Sequence, residues 1–277
     1  MRASIQDPKV PAHVARSVCE RWPSIANEWL LNVEGELGDL CEAFDARPIG
    51  VLPARYGFVV AADSPRGALV LKATPDPDGE VQARTAATLA DIGAGPAVHG
   101  MVGRPTGIWI VMDAVVPGTP LADADISNLN PSALIAPLRA MIGQSAPQIP
   151  GMRSIADWLH DRLANVDLAD LAPGQEAAPF AARQMAVELL RELNSVGGSD
   201  GLCHGDTSPR NILSDGADRW LLVDPRGVRG EVEYDVAVLA LKTAHEGSAT
   251  TAILAREVGV DPMRVQAWAT VAKAARV

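Results

Sequence analysis

Residues 203–213 read Cys-His-Gly-Asp-Thr-Ser-Pro-Arg-Asn-Ile-Leu, and residues 220–227 read Trp-Leu-Leu-Val-Asp-Pro-Arg-Gly. These two segments bring one histidine, two aspartates and one asparagine into about twenty residues. The packing of a protein core does not require such an arrangement. The segments therefore form the candidate site, and the rest of the chain can be read for the parts that such a site needs.

The spacing of these polar residues favours phosphoryl transfer. Asp206 and Asn211 are five positions apart, and the apolar pair Ile212-Leu213 that follows predicts a loop leading into a strand. Asp224 ends a second predicted strand, so a hairpin would bring Asn211 and Asp224 together. Carboxylate and amide oxygens are the ligands that Mg²⁺ prefers. Asp206 would then lie beside the metal as the base that accepts a hydroxyl proton.

Other chemistries fit the loop less well. Cys203 and His204 have no further Cys or His at the spacing of a metal site. A Cys-His nucleophile pair is disfavoured because adjacent residues on a strand point to opposite faces. His204 is predicted to hold the loop through hydrogen bonds. Ordinary turn residues remain the alternative for Asp206 and Asn211.

Composition limits the partners. With 34 acidic and 24 basic residues the chain has a net charge of -10, which disfavours nucleic acid and an anionic membrane as partners because both require clustered Lys and Arg. The charge is compatible with a small cationic substrate, although it also serves solubility alone. We expect a monomer or a weak dimer.

The remaining global features indicate a globular protein of the cytoplasm. No run of roughly 18 apolar residues predicts a transmembrane helix, and the first eight residues lack the apolar core of a signal peptide. The three cysteines (Cys19, Cys41 and Cys203) are an odd number, which favours a reduced compartment.

The N-terminal part is predicted to form an antiparallel sheet with helices. Apolar residues at helical spacing predict two leading helices over 10–44, or one helix kinked at Pro23. Short apolar runs punctuated by Pro and Gly predict strands at 48–52, 57–62, 68–73, 97–99 and 108–112, with a helix inserted over 80–92. Lys72 lies inside the third run. It is either an edge residue with its amine in solvent or a phosphate ligand.

The C-terminal part is predicted to be mostly helical. Helical patterns occur at 132–142, 155–166, 186–193, 233–245 and 262–275. The predicted fold class is therefore α+β, in two lobes. Residues 1–112 form the N-terminal lobe, residues 113–121 form a connector with Pro and Gly, and residues 122–277 form the helical lobe that contains the loop.

The order of a strand lysine, a connector, His-Gly-Asp-x4-Asn and Asp-Pro resembles that of the aminoglycoside phosphotransferase family, relatives of the protein kinases. The run Val-Asp-Pro-Arg-Gly-Val at 223–228, followed by Tyr-Asp at 234–235, resembles the streptomycin/hydroxyurea kinase branch, which has a similar Asp-Pro-Lys-Gly run. The resemblance implies a protein-kinase-like bilobal fold. Its specific motif covers residues 203–237.

The resemblance implies a role for each matching residue. Asp206 would be the base, and Asn211 and Asp224 would bind Mg²⁺. Lys72 would contact the α- and β-phosphates of ATP or GTP. The other implied roles are adenine binding by backbone groups of Asp113 and Val115, a contact of Met112 behind the ring, and structural support of the loop by His204 and Asp235. A helix N-cap is the alternative for Asp235.

Two features depart from the family pattern. Members of the family usually place a Glu in the helix after the lysine strand, at a position near Thr85 here, and Glu80 is five residues earlier and about 140° round the helix from Thr85. Either Glu80 pairs with Lys72 or the lysine is held differently. The loop between Leu52 and Val59 has only Gly57 in place of a glycine-rich phosphate loop.

The predicted function is transfer of the γ-phosphate of ATP or GTP to a hydroxyl of a small cationic antibiotic, which would give resistance. An aminoglycoside such as streptomycin and a basic peptide antibiotic of the capreomycin or viomycin type are both open. The acids predicted to bind the substrate are Asp157, Asp161, Glu231 and Glu233.

Two other functions stay open. One is a small-metabolite kinase acting on choline, homoserine or a ketosamine. The other is a pseudokinase that binds nucleotide without turnover. A protein kinase is disfavoured because the interval 224–235 is too short for an activation segment.

Overall fold

The computed structural model describes residues 8–125, 129–168, 171, 174–196, 200–216, 218–243 and 249–277. The chain divides into two compact units. The first comprises the residues up to Ala83 together with Pro96–Ala114, and the second comprises Arg84–Gly95 together with Val115–Val277. Each unit has its own apolar core. The assignment of 1–112, 113–121 and 122–277 to lobes and a connector remains a prediction.

Two separate helices open the first unit, namely α1 (Ala12–Arg21) and α2 (Ala26–Ala43). The chain turns between them at Trp22, whose amide still donates to the Val18 carbonyl over 2.8 Å. Of the two sequence alternatives, two helices are therefore correct. Both helices present their buried apolar residues at intervals of three or four, as one face of a helix requires.

The first unit also contains an antiparallel sheet. Within its described residues the strands are β1 (Arg47–Val51), β2 (Phe58–Ser64), β3 (Gly67–Thr74), β4 (Val98–Arg104) and β5 (Gly107–Asp113), in the order β1-β2-β3-β5-β4. Helix α3 (Gly79–Asp91) connects β3 to β4. Phe58, Val60 and Ala62 alternate along β2 and are fully buried, in one core with residues of α2. The predicted antiparallel sheet with an inserted helix is thus confirmed.

Helices form most of the second unit. They are α4 (Pro131–Met141), α5 (Ile155–Ala164), α6 (Phe180–Ser195), α7 (Val232–Thr243), α8 (Ala249–Val258) and α9 (Pro262–Ala274). Helix α7 is buried on nearly all sides, since residues 234–240 are at most 1% exposed. The predicted helix over 233–245 extends to His245, which lies outside the described residues.

Helix α8 was not predicted, because it is short and follows a polar stretch. Its buried residues are Thr251, Ala255 and Val258, which have helical spacing but little apolar bulk.

Short strands frame the candidate loop. Strands β6 (Thr119–Pro120), β8 (Ile212–Ser214) and β9 (Trp220–Leu222) form one sheet, and β7 (Gly201–Cys203) pairs with β10 (Val228–Gly230). The predicted hairpin is confirmed by the register of β8 and β9, in which Ile212 lies opposite Leu222. Strands β7 and β10 were not predicted, since three-residue strands leave almost no periodicity. No helix in the described part of the chain is long and apolar enough to cross a membrane.

Candidate active site

His204 connects the two halves of the candidate site. It follows β7 directly and is fully buried. Its Nε2 lies 2.9 Å from the Val223 carbonyl, and its Nδ1 accepts the amide of Asp206 at 3.3 Å. These contacts define one neutral tautomer, with the proton on Nε2. Burial lowers the pKa of His204, which favours the same neutral form.

Asp235 anchors the start of the loop from the first turn of α7. Its carboxylate accepts the amides of His204 at 2.8 Å and Gly205 at 2.9 Å. The Thr207 hydroxyl donates to the Asp235 carbonyl oxygen at 2.6 Å. Asp235 is fully buried, and burial raises its pKa to about 7 although both backbone amides lower it. Both carboxylate oxygens of Asp235 therefore accept hydrogen bonds that hold the start of the loop in place.

Gly205 is required by the path of the loop. Its φ of +80° lies in the left-handed region. A Cβ at this position would be 2.6 Å from Val228 Cγ2 and 2.9 Å from Arg226 Cβ. Only glycine fits here without displacing the neighbouring segment.

Asp206 and Asn211 belong to one tight turn. The Asp206 carbonyl accepts the Ser208 amide at 2.8 Å and the Asn211 side-chain amide at 2.9 Å. Since Nδ2 of Asn211 is directed to the backbone, its Oδ1 is the atom left to face away from the turn. The turn therefore fixes the spacing of the Asp206 carboxylate and the Asn211 amide oxygen.

Asp224 follows Val223, the residue that pairs with Asn211 at the end of the hairpin. The Val223 amide donates to the Asn211 carbonyl at 2.9 Å, which continues the ladder of β8 and β9. Asp224 itself is exposed and has a φ of +59°, a conformation that few residues other than glycine adopt. Strain of this kind is common at functional sites. The hairpin thus places Asp224 directly after Val223, the residue opposite Asn211, and the joint role of Asn211 and Asp224 as metal ligands stays a prediction.

These residues suit a metal that is held largely by a phosphate ligand. Asn211 supplies an amide oxygen and Asp224 a carboxylate, which are hard oxygen donors of the kind that Mg²⁺ binds. No group of three or more His, Cys, Asp or Glu that could hold a metal occurs among the described residues. If Asn211 and Asp224 bind Mg²⁺, their two oxygens would leave the remaining coordination positions to water and phosphate oxygens, as is usual for this metal.

Two cations approach the Asp206 carboxylate. Arg226 lies 3.3 Å from Oδ2, and Lys242 of α7 lies 3.8 Å from Oδ1. The Asp206 side chain is 30% exposed, yet its Oδ1 is buried and accepts no hydrogen bond from the described residues. The guanidinium of Arg226 also lies over the ring of Trp158, at 4.1 Å from the ring centroid.

The four predicted substrate acids differ in their surroundings. Glu231 is partly buried, and it accepts hydrogen bonds from Arg264 at 2.5 and 2.7 Å and from the Trp268 indole N–H at 2.7 Å. These contacts use both carboxylate oxygens and favour a structural role for Glu231. Asp161 pairs with Arg153 at 2.6 Å but remains exposed.

The other two acids lie in the first turns of helices. Asp157 is exposed, and its Oδ2 accepts the Ser154 hydroxyl at 2.7 Å. Glu233 is half-buried, and burial raises its pKa. The substrate roles of all four acids remain predictions.

Lys72 belongs to the first unit, where it lies on β3 opposite Val59 of β2 and Ile110 of β5. It is therefore on an inner strand, which removes the edge-strand alternative. A Cβ on Gly57 would be 2.8 Å from the Ala73 carbonyl. Glycine at this position therefore allows the loop between Leu52 and Val59 to pass close to β3. Thr85 is fully buried, and a pairing of Glu80 with Lys72 stays a prediction.

The predicted adenine-binding residues lie where the chain leaves β5. Met112 is half-buried and Asp113 exposed. The Asp113 amide already donates to the Ala97 carbonyl at 2.9 Å, so the backbone of Asp113 can bind a base only through its carbonyl, which would accept a hydrogen bond from the base. Val115, in the second unit, precedes a turn in which a Cβ on Gly118 would be 2.6 Å from the Val115 carbonyl oxygen.

Sequence reasoning did not assign functions to Arg226, Trp158 or Lys242. Arg226 was visible only as the basic residue of the Asp-Pro-Arg-Gly run. Trp158 was predicted as part of an apolar helix face, and nothing in its local sequence indicates an arginine partner. Thr207 was likewise missed, since its contact with Asp235 joins residues far apart in the chain.

Several known protein structures have a fold similar to that of this chain. A choline/ethanolamine kinase family protein from Mesorhizobium loti has a TM-score of 0.62 at 16% identity, covering 88% of this chain and 83% of its own. Choline kinase LicA from Streptococcus pneumoniae has a TM-score of 0.59 at 14% identity, covering 86% and 85%. The aminoglycoside phosphotransferase APH(4)-Ia has a TM-score of 0.55 at 16% identity, covering 86% and 88%. No curated protein sequence matches significantly.

The chain has the protein-kinase-like fold of these structures, with its antiparallel sheet in the N-terminal region and helices in the C-terminal region. The family model for aminoglycoside/hydroxyurea antibiotic resistance kinases matches residues 132–276, more than half of the 277 residues. The protein therefore belongs to this family of kinases. It is a phosphotransferase that acts on a hydroxyl group.

Proposed function

We propose that the protein transfers the γ-phosphate of ATP or GTP to a hydroxyl of a small cationic antibiotic. The observation that supports this most is the arrangement of Asp206, Asn211 and Asp224 in one turn and hairpin. A carboxylate base beside two oxygen ligands is what phosphoryl transfer requires, because catalysis there depends on positioning and charge stabilisation.

In this proposal Asp206 accepts the proton of the acceptor hydroxyl. Asn211 and Asp224 hold Mg²⁺, and Lys72 contacts the α- and β-phosphates. When bound, the metal neutralises charge on the transferred phosphoryl group. His204 and Asp235 keep the loop in this arrangement through the hydrogen bonds described above.

The nucleotide is proposed from the family and from the known structures. A thermostable mutant of APH(4)-Ia was crystallised with ADP and hygromycin B, and LicA was crystallised with AMP. Backbone groups of Asp113 and Val115 are proposed to bind the adenine, with Met112 behind the ring. The connector at 113–121 is proposed to join the two lobes.

A cationic acceptor is supported by the acids near the loop and by the net charge of -10. The contact of Arg226 with Trp158 brings the first turns of α5 beside the loop. Asp157 and Asp161 are four residues apart on this helix, so they share one face, and both are exposed. We propose Asp157, Asp161 and Glu233 as ligands for ammonium or guanidinium groups, with Glu231 left to its structural contacts.

The proposal is tested by measuring nucleotide consumption against a panel of acceptors. The panel contains streptomycin, hygromycin B, viomycin, hydroxyurea, choline and homoserine, and phosphorylated product is identified by mass spectrometry. We expect turnover with a cationic antibiotic and ATP or GTP. Preferential turnover of choline or homoserine would favour a metabolite kinase, which the fold neighbours also suggest. A thermal shift with MgATP but no turnover on any acceptor would favour a pseudokinase.

A further inference from the structure

The oxygen of Asp206 that faces an acceptor can be identified from burial. Oδ1 is buried and accepts no hydrogen bond from the described residues, whereas the side chain as a whole is 30% exposed. An acceptor hydroxyl entering from solvent therefore reaches Oδ2. This is the oxygen to which Arg226 donates at 3.3 Å. A carboxylate oxygen has two lone pairs, so it can accept from Arg226 and from an acceptor hydroxyl together.

Arg226 is held in place independently of Asp206. Its Nε donates to the Gly205 carbonyl at 3.1 Å, and its backbone amide donates to the His204 carbonyl at 2.8 Å. Its guanidinium lies over Trp158, with 4.1 Å between the central carbon and the ring centroid. Arg is suited to such a site because its planar group stacks on a ring while its N–H groups donate at the edge. The donor to Asp206 is thus fixed before any acceptor arrives.

We infer that Arg226 is a positioning residue that orients Oδ2 of Asp206 toward the acceptor hydroxyl, and that Trp158 of α5 holds Arg226 in this position. The inference rests on the proposed function, in which Asp206 is the base. It assigns a role to a contact between two segments that are far apart in sequence. No covalent step is added, since Arg226 keeps its proton and only orients the carboxylate.

Lys242 is the second cation near the Asp206 carboxylate and can be compared with Arg226. It lies 3.8 Å from Oδ1, which is beyond hydrogen-bond distance, and Oδ1 is the buried oxygen. Lys242 can therefore influence Asp206 through charge but does not fix the direction of Oδ2. Removing Lys242 is expected to lower turnover less than removing Arg226.

The test measures kcat and KM for wild type, Arg226→Ala, Arg226→Lys and Lys242→Met, with MgATP and the acceptor identified by the panel. We expect Arg226→Ala to lower kcat by about ten- to hundredfold, the usual effect of losing a hydrogen bond to a charged group. The KM for MgATP should change by less than about threefold, since the nucleotide ligands are unaltered. Arg226→Lys should recover part of the loss. Guanidinium ion at millimolar concentration, but not urea, should restore activity to Arg226→Ala.

A second pair of variants tests the contribution of the ring and does not depend on the folding of Arg226→Ala. Trp158→Leu removes the aromatic face while Arg226 remains, and it should lower kcat by about two- to thirtyfold. Trp158→Phe keeps an aromatic face, so its kcat should fall less than that of Trp158→Leu. Arg219→Met is the charge-matched control, because Arg219 is an exposed residue that pairs with Asp215, and the kcat of this variant should equal that of wild type.

The possible results separate this inference from the proposed function. If wild type transfers phosphate while Arg226→Ala and Trp158→Leu both keep wild-type kcat, the inference is wrong and the proposed function stands. A larger loss in Lys242→Met than in Arg226→Ala would also refute the assignment of Oδ2. If wild type transfers phosphate to no acceptor, the proposed function and this inference fail together.

Discussion

The buried carboxylate of Asp235 offers the most quantitative test of how the loop is held. Its two oxygens accept the backbone amides of His204 and Gly205, both in the protein interior. Replacing Asp235 with Ala leaves these two donors without acceptors and opens a small cavity. Each stranded buried amide costs about 1–3 kcal/mol, so the free energy of unfolding should fall by about 2–6 kcal/mol. The stranding of the donors does not depend on the charge of the carboxyl group.

The measurement is urea-induced unfolding followed by circular dichroism at pH 6. Asp235→Asn keeps one acceptor oxygen, so its free energy of unfolding should fall by about half as much as that of Asp235→Ala. Asp261→Ala is a matched control, because Asp261 is also an aspartate at the start of a helix, where it accepts the exposed Met263 amide at 2.9 Å. The free energy of unfolding of Asp261→Ala should fall by about 1 kcal/mol, as for the removal of other N-caps. If Asp235→Ala costs no more than this control, Asp235 does not hold the loop.

Three further predictions concern pH and single substitutions. Burial raises the pKa of Asp235 from 3.8 to about 7, so the folded protein binds this proton more tightly than the unfolded protein does. The difference in free energy of unfolding between wild type and Asp235→Asn should therefore shrink as pH rises from 4 to 7. A difference that grows with pH would contradict this prediction. Glu231→Ala removes the carboxylate partner of Arg264, whose side chain is partly exposed, and should lower the free energy of unfolding by about 1–3 kcal/mol, whereas a stable variant with a raised KM for the acceptor would show that Glu231 binds substrate. Gly205→Ala should reduce both the unfolding temperature and kcat, because a Cβ there meets Val228 at 2.6 Å; wild-type values for both would show that the loop adapts.

Local sequence patterns were sufficient to predict most of the fold. Alternating apolar residues identified the strands of the first unit, and helical spacing identified α1, α2 and most helices of the second unit. Elements with few apolar residues were missed. Strands β7 and β10 have three residues each, which is too few for a period, and α8 buries mainly small residues. Such elements form because neighbouring elements pack on them.

The candidate site was predictable where its residues are close in sequence. Asp206, Asn211 and Asp224 belong to one turn and one hairpin, so their spacing indicates their proximity. The partners of Arg226 and Glu231 could not be predicted in this way. Trp158 lies on α5 and Arg264 on α9, and only the packing of these helices brings them to their partners. The charge of Glu231 suggested a substrate ligand because its partner Arg264 is 33 residues further along the chain and is not visible in the local sequence.

The central claim is that Asp206 is the base for phosphate transfer, and its most direct test compares wild type with Asp206→Ala. The measurement is single-turnover transfer of labelled γ-phosphate to the acceptor identified by the panel, together with the affinity for MgATP. We predict that the transfer rate falls by about 10²- to 10⁴-fold, the usual contribution of a general base, while nucleotide affinity changes little. Transfer at close to the wild-type rate would contradict the assignment of Asp206.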